Sequence, residues 1–295
     1  MILPFLKWPG GKRWLVQSFQ SAFVPVPGTY YEPFLGAGAV FFMTGPERAY
    51  LSDSNRDLIN VYKQIRKCPH KFADELAIYH SKHSKAFYYR EREQVHGSNF
   101  KKAVQFLYLN RTCFNGIYRV NLEGRFNVPI GTKTSVILPS DDFVSIAKAL
   151  RGKTLEVSNY SDTIEKAGKN DFVYADPPYT VKHNLNGFVK YNDRLFQWAD
   201  QEHLCLALTA ASERGAKVIV SNANHDSIRH LYSVGWRRYV VPRSTVISAD
   251  SERRGGTTEL LISNFDLGLP DTFRDNGAHP PGRPNGFISA PHQAI

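Results

Sequence analysis

Asp176-Pro177-Pro178-Tyr179 carries the densest chemistry in the chain. Two consecutive prolines fix φ and hold the residue before them in extended geometry. Neither proline offers an N–H, so the stretch presents carbonyls, one carboxylate and one aromatic face. Such an edge accepts both hydrogen bonds of an –NH2 group while a ring stacks beneath it. Exocyclic amines on planar rings are poor nucleophiles, because the lone pair is delocalised. Holding both N–H bonds as donors, to Asp176 and the Pro177 carbonyl, favours a pyramidal nitrogen with its lone pair aimed outward at an electrophile. The plainer alternative is a proline-rich strand exit with a solvated aspartate.

Gly36-Ala37-Gly38 is a second candidate. Glycines after a strand let backbone approach a ligand, and the following helix start adds N–H groups. Asp53, seventeen positions past Gly36, ends the next expected strand, where a carboxylate can accept both hydroxyls of a ribose. The third glycine of the dinucleotide fingerprint is missing, since Phe41 stands there. Gly11-Lys12 is followed by Arg13, so the phosphate-loop motif is missing too. The pocket suits an adenosine ligand without a pyrophosphate; otherwise the glycines are a structural turn. In Phe5 to Lys12, Trp8 can cover an adenine or a sulfonium and Lys12 can meet a carboxylate, or the stretch is an ordered arm with exposed lysines. Arg119, Asn121, Leu122 and Arg125 sit near the tip of an expected hairpin. Arg and Asn read guanine and adenine edges, and a ribbon fits the major groove; an ordinary surface hairpin has the same composition. Arg243 and Arg253-Arg254 suit phosphates or solvent. The ten histidines and three cysteines show no ligand spacing, so no metal is expected.

The elements that must position these groups follow an α/β pattern. Thr29 to Phe34 reads as a strand, Ala39 to Met43 as a helix start, and Tyr50 to Asp53 as a strand. Ser54-Asn55-Arg56-Asp57 resembles a capping box, with Leu58, Val61, Tyr62 and Ile65 at helical spacing. Helical patterns recur near Phe72 to Tyr79 and Phe100 to Leu109. Gly116 to Pro129 has two alternating runs about a turn at Glu123-Gly124, a hairpin pattern. Phe143, Ile146, Ala147 and Leu150 mark a short helix. Strands resume at Thr154 to Val157, Asp171 to Ala175, Lys217 to Ser221 and Thr258 to Ile262. Asp200 is expected to cap a helix through Leu204 and Leu208 that stops at Gly215. Residues 1–57 and 151–265 therefore form the expected catalytic domain, and 58–150 an insert. Residues 266–295, rich in Pro and Gly, are expected to be a flexible tail with no core to join.

The chain has 295 residues, 42% hydrophobic and 13% aromatic, which excludes global disorder. No apolar run approaches the roughly 18 residues of a membrane span, no signal peptide is legible, and cysteines are sparse. These features predict a soluble protein of a reducing compartment, the cytoplasm. Lys and Arg number 37 against 27 Asp and Glu, a net charge of +10 that favours a polyanionic partner.

Four stretches coincide in order: Phe5 to Lys12; Tyr31-Glu32-Pro33-Phe34-Leu35-Gly36-Ala37-Gly38; Asn110 to Gly116 running on to Phe126-Asn127-Val128-Pro129; and Asp176 to Tyr179. On these the chain resembles the Dam-type family of S-adenosylmethionine-dependent DNA adenine methyltransferases, from about Leu3 to Asn264. The Asp-Pro-Pro-Tyr motif alone occurs in several amine methylases; the ordered set is far more specific. Departures at the motifs are conservative, with Pro9 where Ala or Thr is common and Leu35 in the glycine loop.

The resemblance implies a Rossmann-like, seven-stranded, mostly parallel sheet, with a helical and β-hairpin DNA-recognition insert after the second strand. It implies that Trp8, Lys12, Glu32, Pro33, Phe34, Gly36, Gly38 and Asp53 bind S-adenosylmethionine, with Asp162 at its adenine. Asp176 would be the catalytic carboxylate, close to the cofactor as well, within the motif completed by Pro177, Pro178 and Tyr179. Tyr179 would stack on an adenine flipped out of duplex DNA. Lys7, Arg119, Asn121, Leu122, Arg125 and Arg243 would face DNA. The implied reaction is methylation of adenine N6 in a short site, GATC being the first expectation. The enzyme would be a monomer, solitary or partnered by a restriction endonuclease acting on the same site. Open alternatives are another amine (cytosine N4, RNA, or a protein amide, where glutamine-directed enzymes carry Asn in place of Asp176) and a non-catalytic DNA-binding protein on the same scaffold.

Overall fold

The computed structural model describes residues 2–23, 27–121, 124–181, 196–243 and 258–275. Seven strands form one sheet: β1 (Tyr30–Glu32), β2 (Ala49–Asp53), β3 (Thr154–Val157), β4 (Phe172–Ala175), β5 (Lys217–Ala223), β6 (Arg237–Pro242) and β7 (Thr258–Ser263). Their order is β3-β2-β1-β4-β5-β7-β6. All neighbouring pairs are parallel except those of β7, which runs antiparallel to both β5 and β6. The expected Rossmann-like, mostly parallel sheet is therefore the observed one. The strand order reverses between β1 and β4, and the carboxyl ends of strands at such a switch point leave a crevice.

The central strands are short apolar runs because both faces are covered. Along β4, Phe172 and Tyr174 join one apolar cluster, whereas Val173 and Ala175 join the other. This period-two alternation assigns one cluster to each face. On the first face lie α1 (Arg13–Ser18), α2 (Ala39–Thr44), α3 (Arg56–Lys67) and α7 (Phe143–Leu150). On the second lie α8 (Tyr160–Glu165), α9 (Trp198–Glu213) and α10 (Asp226–Leu231).

Two helix starts differ in detail from expectation. The cap of α3 is Asn55, not Ser54: its side chain accepts from the N–H groups of Asp57 and Leu58. The cap of α9 is Gln197, and Asp200 occupies the third helical position, its side chain accepting from the Gln197 N–H in a capping box.

The excursion between β2 and β3 holds α4 (Pro69–Lys82), α5 (Lys85–Glu93), α6 (Asn99–Thr112) and the hairpin segment. The hairpin expected at Gly116–Pro129 is present as a bridge between Val120 and Phe126. It is flanked by hydrogen bonds from Asn121 N to Arg125 O and from Asn127 N to Arg119 O. Residues 122–123, including Leu122, lie outside the described residues.

The expected boundary at residues 57 and 58 does not divide the structure. Helix α3 begins at Arg56 and packs on β2 and β3. Phe72, Leu76 and Tyr108 of the excursion belong to the same apolar cluster as Leu51 and Tyr174 of the sheet. The N-terminal arm is also tied to the excursion. Lys7 N donates to Asn110 Oδ1 at 2.9 Å, and Asn110 Nδ2 returns a bond to Lys7 O at 2.6 Å. Arg111, fully buried, pairs with Asp141 and donates to the carbonyls of Phe5 and Val136.

The expectation of a coreless tail from Asp266 is corrected for its first ten residues. Leu267 and Leu269 are buried, and Phe273 meets Phe19 edge-on at 5.4 Å. Asp275 sits between Arg229 and Arg238, and its N–H donates to the Arg238 carbonyl along the free edge of β6. Buried leucines and a paired edge fasten this stretch despite its composition; residues 276–295 lie outside the described residues.

Candidate active site

Three carboxylates stand at the carboxyl ends of adjacent strands: Asp53 ends β2, Glu32 ends β1 and Asp176 follows β4. They border an open cleft of about 830 Å³, reached also by Trp8, Lys12, the Gly36–Gly38 turn and the Asp176–Tyr179 stretch. Most of the cofactor-site and catalytic residues expected from sequence are thereby brought together, including Pro33, Phe34, Pro177 and Pro178. Asp162 is the exception. It lies in the first turn of α8 and does not border the cleft, where Ser158, Asn159 and Tyr160 do. The ring of Tyr160 stacks on Phe34, with centroids 5.3 Å apart.

The glycine turn is shaped by contact rather than by composition alone. Gly36 has φ +47°, and a Cβ there would come within 2.9 Å of Trp8 Cδ1. Gly38 has φ +64° and forms the left-handed entry to α2. Tyr62 donates to the Gly36 carbonyl at 2.9 Å, and Asp53 Oδ2 accepts from the Gly36 N–H at 3.1 Å. The other Asp53 oxygen accepts from the Asn55 N–H at 2.9 Å. One carboxylate thus fixes both the turn and the start of α3, with lone pairs remaining on each oxygen. Burial raises the Asp53 pKa, opposed by these two backbone bonds. Burial also pushes Glu32 up to about 8, against the bond donated by Tyr30 at 2.8 Å.

Around Asp176 the geometry is tighter. Lys12, 3% exposed, places Nζ 3.0 Å from Asp176 Oδ1 and donates to the Gly10 carbonyl at 2.7 Å. Ser221 Oγ donates to the same Asp176 oxygen at 2.9 Å, and lies 2.9 Å from the Tyr174 hydroxyl. Burial raises the Asp176 pKa; Lys12 opposes that shift and Glu259 reinforces it. Gln201 donates to the Pro178 carbonyl at 3.1 Å and accepts from Asn222 at 3.0 Å, so the diproline edge is braced from α9 and β5. Tyr179 donates its hydroxyl to Glu259 Oε2 at 2.8 Å, with Lys12 Nζ 4.8 Å from its ring centroid.

The expected DNA-facing residues divide. Arg119 and Arg125 are exposed on the hairpin, and Arg119 Nε donates across it to Asn127 Oδ1 at 2.9 Å. Asn121 instead closes the turn, its Oδ1 accepting from the Arg125 N–H at 2.9 Å. Lys7 is half-buried beside the hairpin entrance and gives Nζ to the Arg111 carbonyl at 2.6 Å; burial lowers its pKa. Arg243 borders the cleft and meets Glu259 Oε1 at 3.2 Å.

Sequence reasoning passed over Ser221, Glu259, Gln201 and Tyr118. Tyr118 stacks on Trp8 at 6.1 Å and donates to Asp57, joining the hairpin base to the cleft wall. The signal for Glu259 was present: an acid beside Leu260, Leu261 and Ile262 in an expected strand has no solvated place to go.

Asp53 and Asp176 give the cleft acceptors for hydroxyls and favour a cation, such as a sulfonium or an ammonium, whereas Glu32, pushed up to about 8, adds little charge near neutral pH. S-adenosylmethionine has both the diol and the positive charge, so the residues present fit it. Among the described residues, no cluster of His, Cys, Asp and Glu could hold a metal, and no helix is long and apolar enough to cross a membrane.

Residues 8–245 match the sequence profile of the D12 class N6 adenine-specific DNA methyltransferases. The chain is 36% identical over 267 residues to the DNA adenine methylase of Serratia marcescens, covering 87% of this chain and 96% of that one. It is 30% identical over 271 residues to the type II methyltransferase M1.LlaDCHI of Lactococcus lactis subsp. cremoris, covering 89% and 95%. With the DNA adenine methylase of Escherichia coli (strain K12) it shares 33% identity over 262 residues, covering 87% and 93%. Extent, similarity and sheet order agree: the chain belongs to the D12 class of N6 adenine-specific DNA methyltransferases.

Proposed function

We propose that the protein methylates N6 of an adenine flipped from a short duplex DNA site, with S-adenosylmethionine as donor and GATC as the first site to test. The observation that carries this reading is Asp176 on a braced diproline edge, beside Lys12 and Tyr179, in the acid-lined cleft. Asp53 accepts the ribose hydroxyls, and Trp8 and the Gly36 turn flank the donor. Lys12 neutralises Asp176 and guards the cofactor side. When bound, S-adenosylmethionine supplies an electrophilic methyl carbon on a sulfonium.

Asp176 and the Pro177 carbonyl accept hydrogen bonds from the two N6–H groups, which turns the amine lone pair towards that carbon. As the N–C bond forms and the S–C bond breaks, the sulfonium leaves as a neutral thioether and N6 gives up one proton, by way of Asp176, to solvent. Tyr179 gives the adenine a stacking face. Chemistry on a base edge requires the base outside the stack, which is why flipping is part of the proposal. The hairpin, with Arg119 and Arg125 exposed, supplies the contacts to base edges. The protein acts as a monomer, either alone or alongside a restriction endonuclease that recognises the same site.

The test is transfer of labelled methyl groups from S-adenosylmethionine to duplexes with and without GATC, followed by mass spectrometry of the nucleosides. N6-methyladenine in GATC duplexes alone supports the full proposal. Label in a different sequence corrects the site, and label in cytosine corrects the base. No label in any DNA, with folded protein that binds the cofactor, rejects it.

A further inference from the structure

Glu259 is a carboxylate inside β7, 3% exposed, paired across the sheet with Ala223 of β5 and Val241 of β6. A buried carboxylate is costly unless cations and donors surround it. Here Oε2 accepts from the Tyr179 hydroxyl at 2.8 Å and lies 3.5 Å from Lys12 Nζ, while Oε1 faces Arg243 Nη1 at 3.2 Å. Three polar side chains from three separate segments converge on this one carboxylate. A phenylalanine at position 179 with an apolar neighbour would fill the same space without this charge. What the carboxylate adds is direction: a charge-assisted bond to the phenol fixes the tilt of the ring plane.

Resting on the methyl-transfer reading above, we propose that Glu259 is a positioning residue of the target-base site. It clamps the Tyr179 hydroxyl so that the ring is a fixed platform beside Asp176, and it shares Lys12 with Asp176. Lys12 lies 3.0 Å from one carboxylate and 3.5 Å from the other, so the charge of each acts on the other through a common cation. The groups facing Asp176 are Lys12 from the arm, Glu32 from β1, Ser221 from β5, Tyr174 from β4, Tyr179 beyond it and Glu259 from β7. The Glu259 charge is among the causes that raise the Asp176 pKa. Removing that charge therefore lets Asp176 ionise at lower pH.

The experiment is steady-state methyl transfer as a function of pH by wild type, E259Q, E259D, Y179F and the E259Q/Y179F double variant. Folding is checked by circular dichroism and cofactor affinity by calorimetry. E259Q keeps shape and an acceptor but loses the charge. It is expected to lower kcat about fivefold, the loss of charge assistance to one hydrogen bond, with KM for DNA within about twofold. Its acid limb moves to lower pH. E259D keeps the charge but withdraws it from the phenol, so kcat falls while the acid limb holds its place. In the Y179F background, E259Q keeps less than half of the effect on kcat that it has in wild type. Independent multiplication of the two effects, a loss confined to KM, or an unmoved acid limb in E259Q overturns the proposal. Should the double variant fail to fold, the contrast between the E259Q and E259D pH profiles decides alone. Wild type that transfers no methyl group overturns the methyl-transfer reading and this inference with it; active wild type with an indifferent E259Q overturns this inference alone.

Discussion

Glu32 makes a stability prediction that involves no substrate. Its carboxyl is buried at the end of β1, and desolvation, with the nearby charges of Asp176 and Asp53, pushes it up to about 8. In an unfolded chain a glutamate titrates near ~4.3. The folded state therefore holds this proton more tightly, and the stabilisation is complete below the unfolded value and lost as pH rises towards 8. Glu32→Gln imitates the protonated form and should remove that slope. Relative to wild type, the variant should gain up to ~1.4 kcal/mol per pH unit between pH 5 and 8 in urea unfolding without cofactor. A constant difference across that range would mean that Glu32 is ionised throughout. Asp176 follows the same sign in activity. Its raised pKa places the acid limb of kcat above the ordinary aspartate range, because the protonated carboxyl is a weaker acceptor for an amine N–H and carries no charge. Asp176→Ala should abolish transfer while DNA affinity, measured by gel shift, stays nearly unchanged. Normal turnover by that variant would remove Asp176 from the chemistry.

At the scale of elements, the parts of the fold with strong periodicity were legible and the parts held by side-chain bonds were not. Leu58, Val61, Tyr62 and Ile65 announced α3 because one stripe of it faces the sheet. Its cap went one residue astray because Ser54 and Asn55 are both good caps, and only the chain direction after Asp53 selects Asn55. Strand β6 escaped notice because it opens with Arg237-Arg238, ends in Pro242 and, of the sheet's strands, pairs with β7 alone. Helix α5, Lys85–Glu93, carries too many charges to show a stripe. Glycine turn, Asp53 and Asp176 were legible because their chemistry depends on local spacing. Ser221 was not, and Glu259 showed only as an acid in an apolar strand, since both reach Asp176 and Tyr179 only after the sheet is assembled. Arg111 shows how much such assembly matters. It lies in the last turn of α6 with no exposure and bonds to Asp141, Phe5 and Val136, binding the excursion to the arm that carries Trp8 and Lys12. Arg111→Met leaves Asp141 without its cation, and thermal or urea unfolding should show a loss of about 3–5 kcal/mol. A loss below ~1 kcal/mol would mean that Asp141 finds solvent or another partner.

For the whole molecule, the net charge of +10 should appear as a salt dependence of DNA binding rather than as fold stability. Each phosphate neutralised releases condensed counterions, so the logarithm of the binding constant falls with the logarithm of salt concentration by about 0.9 per contact. Arg119 and Arg125 stand exposed on a hairpin whose base, through Tyr118, abuts Trp8 in the cleft. A side chain at that place can grip the backbone or read a base, and the two have different signatures. If Arg119 reads a base edge, Arg119→Gln should cost about 1–3 kcal/mol on the cognate duplex, relax discrimination at one position, and leave the salt slope nearly unchanged. If it holds a phosphate, binding weakens uniformly across sequences and the slope drops by about 1. The bond from Arg119 Nε to Asn127 favours the first outcome, because it holds the guanidinium in one plane across the ribbon, as bidentate recognition requires. Fluorescence anisotropy titrations of wild type and Arg119→Gln, at several salt concentrations and on duplexes altered one base pair at a time, separate the two. Equal losses on every duplex, with a shallower slope, would move Arg119 from sequence reading to simple attachment.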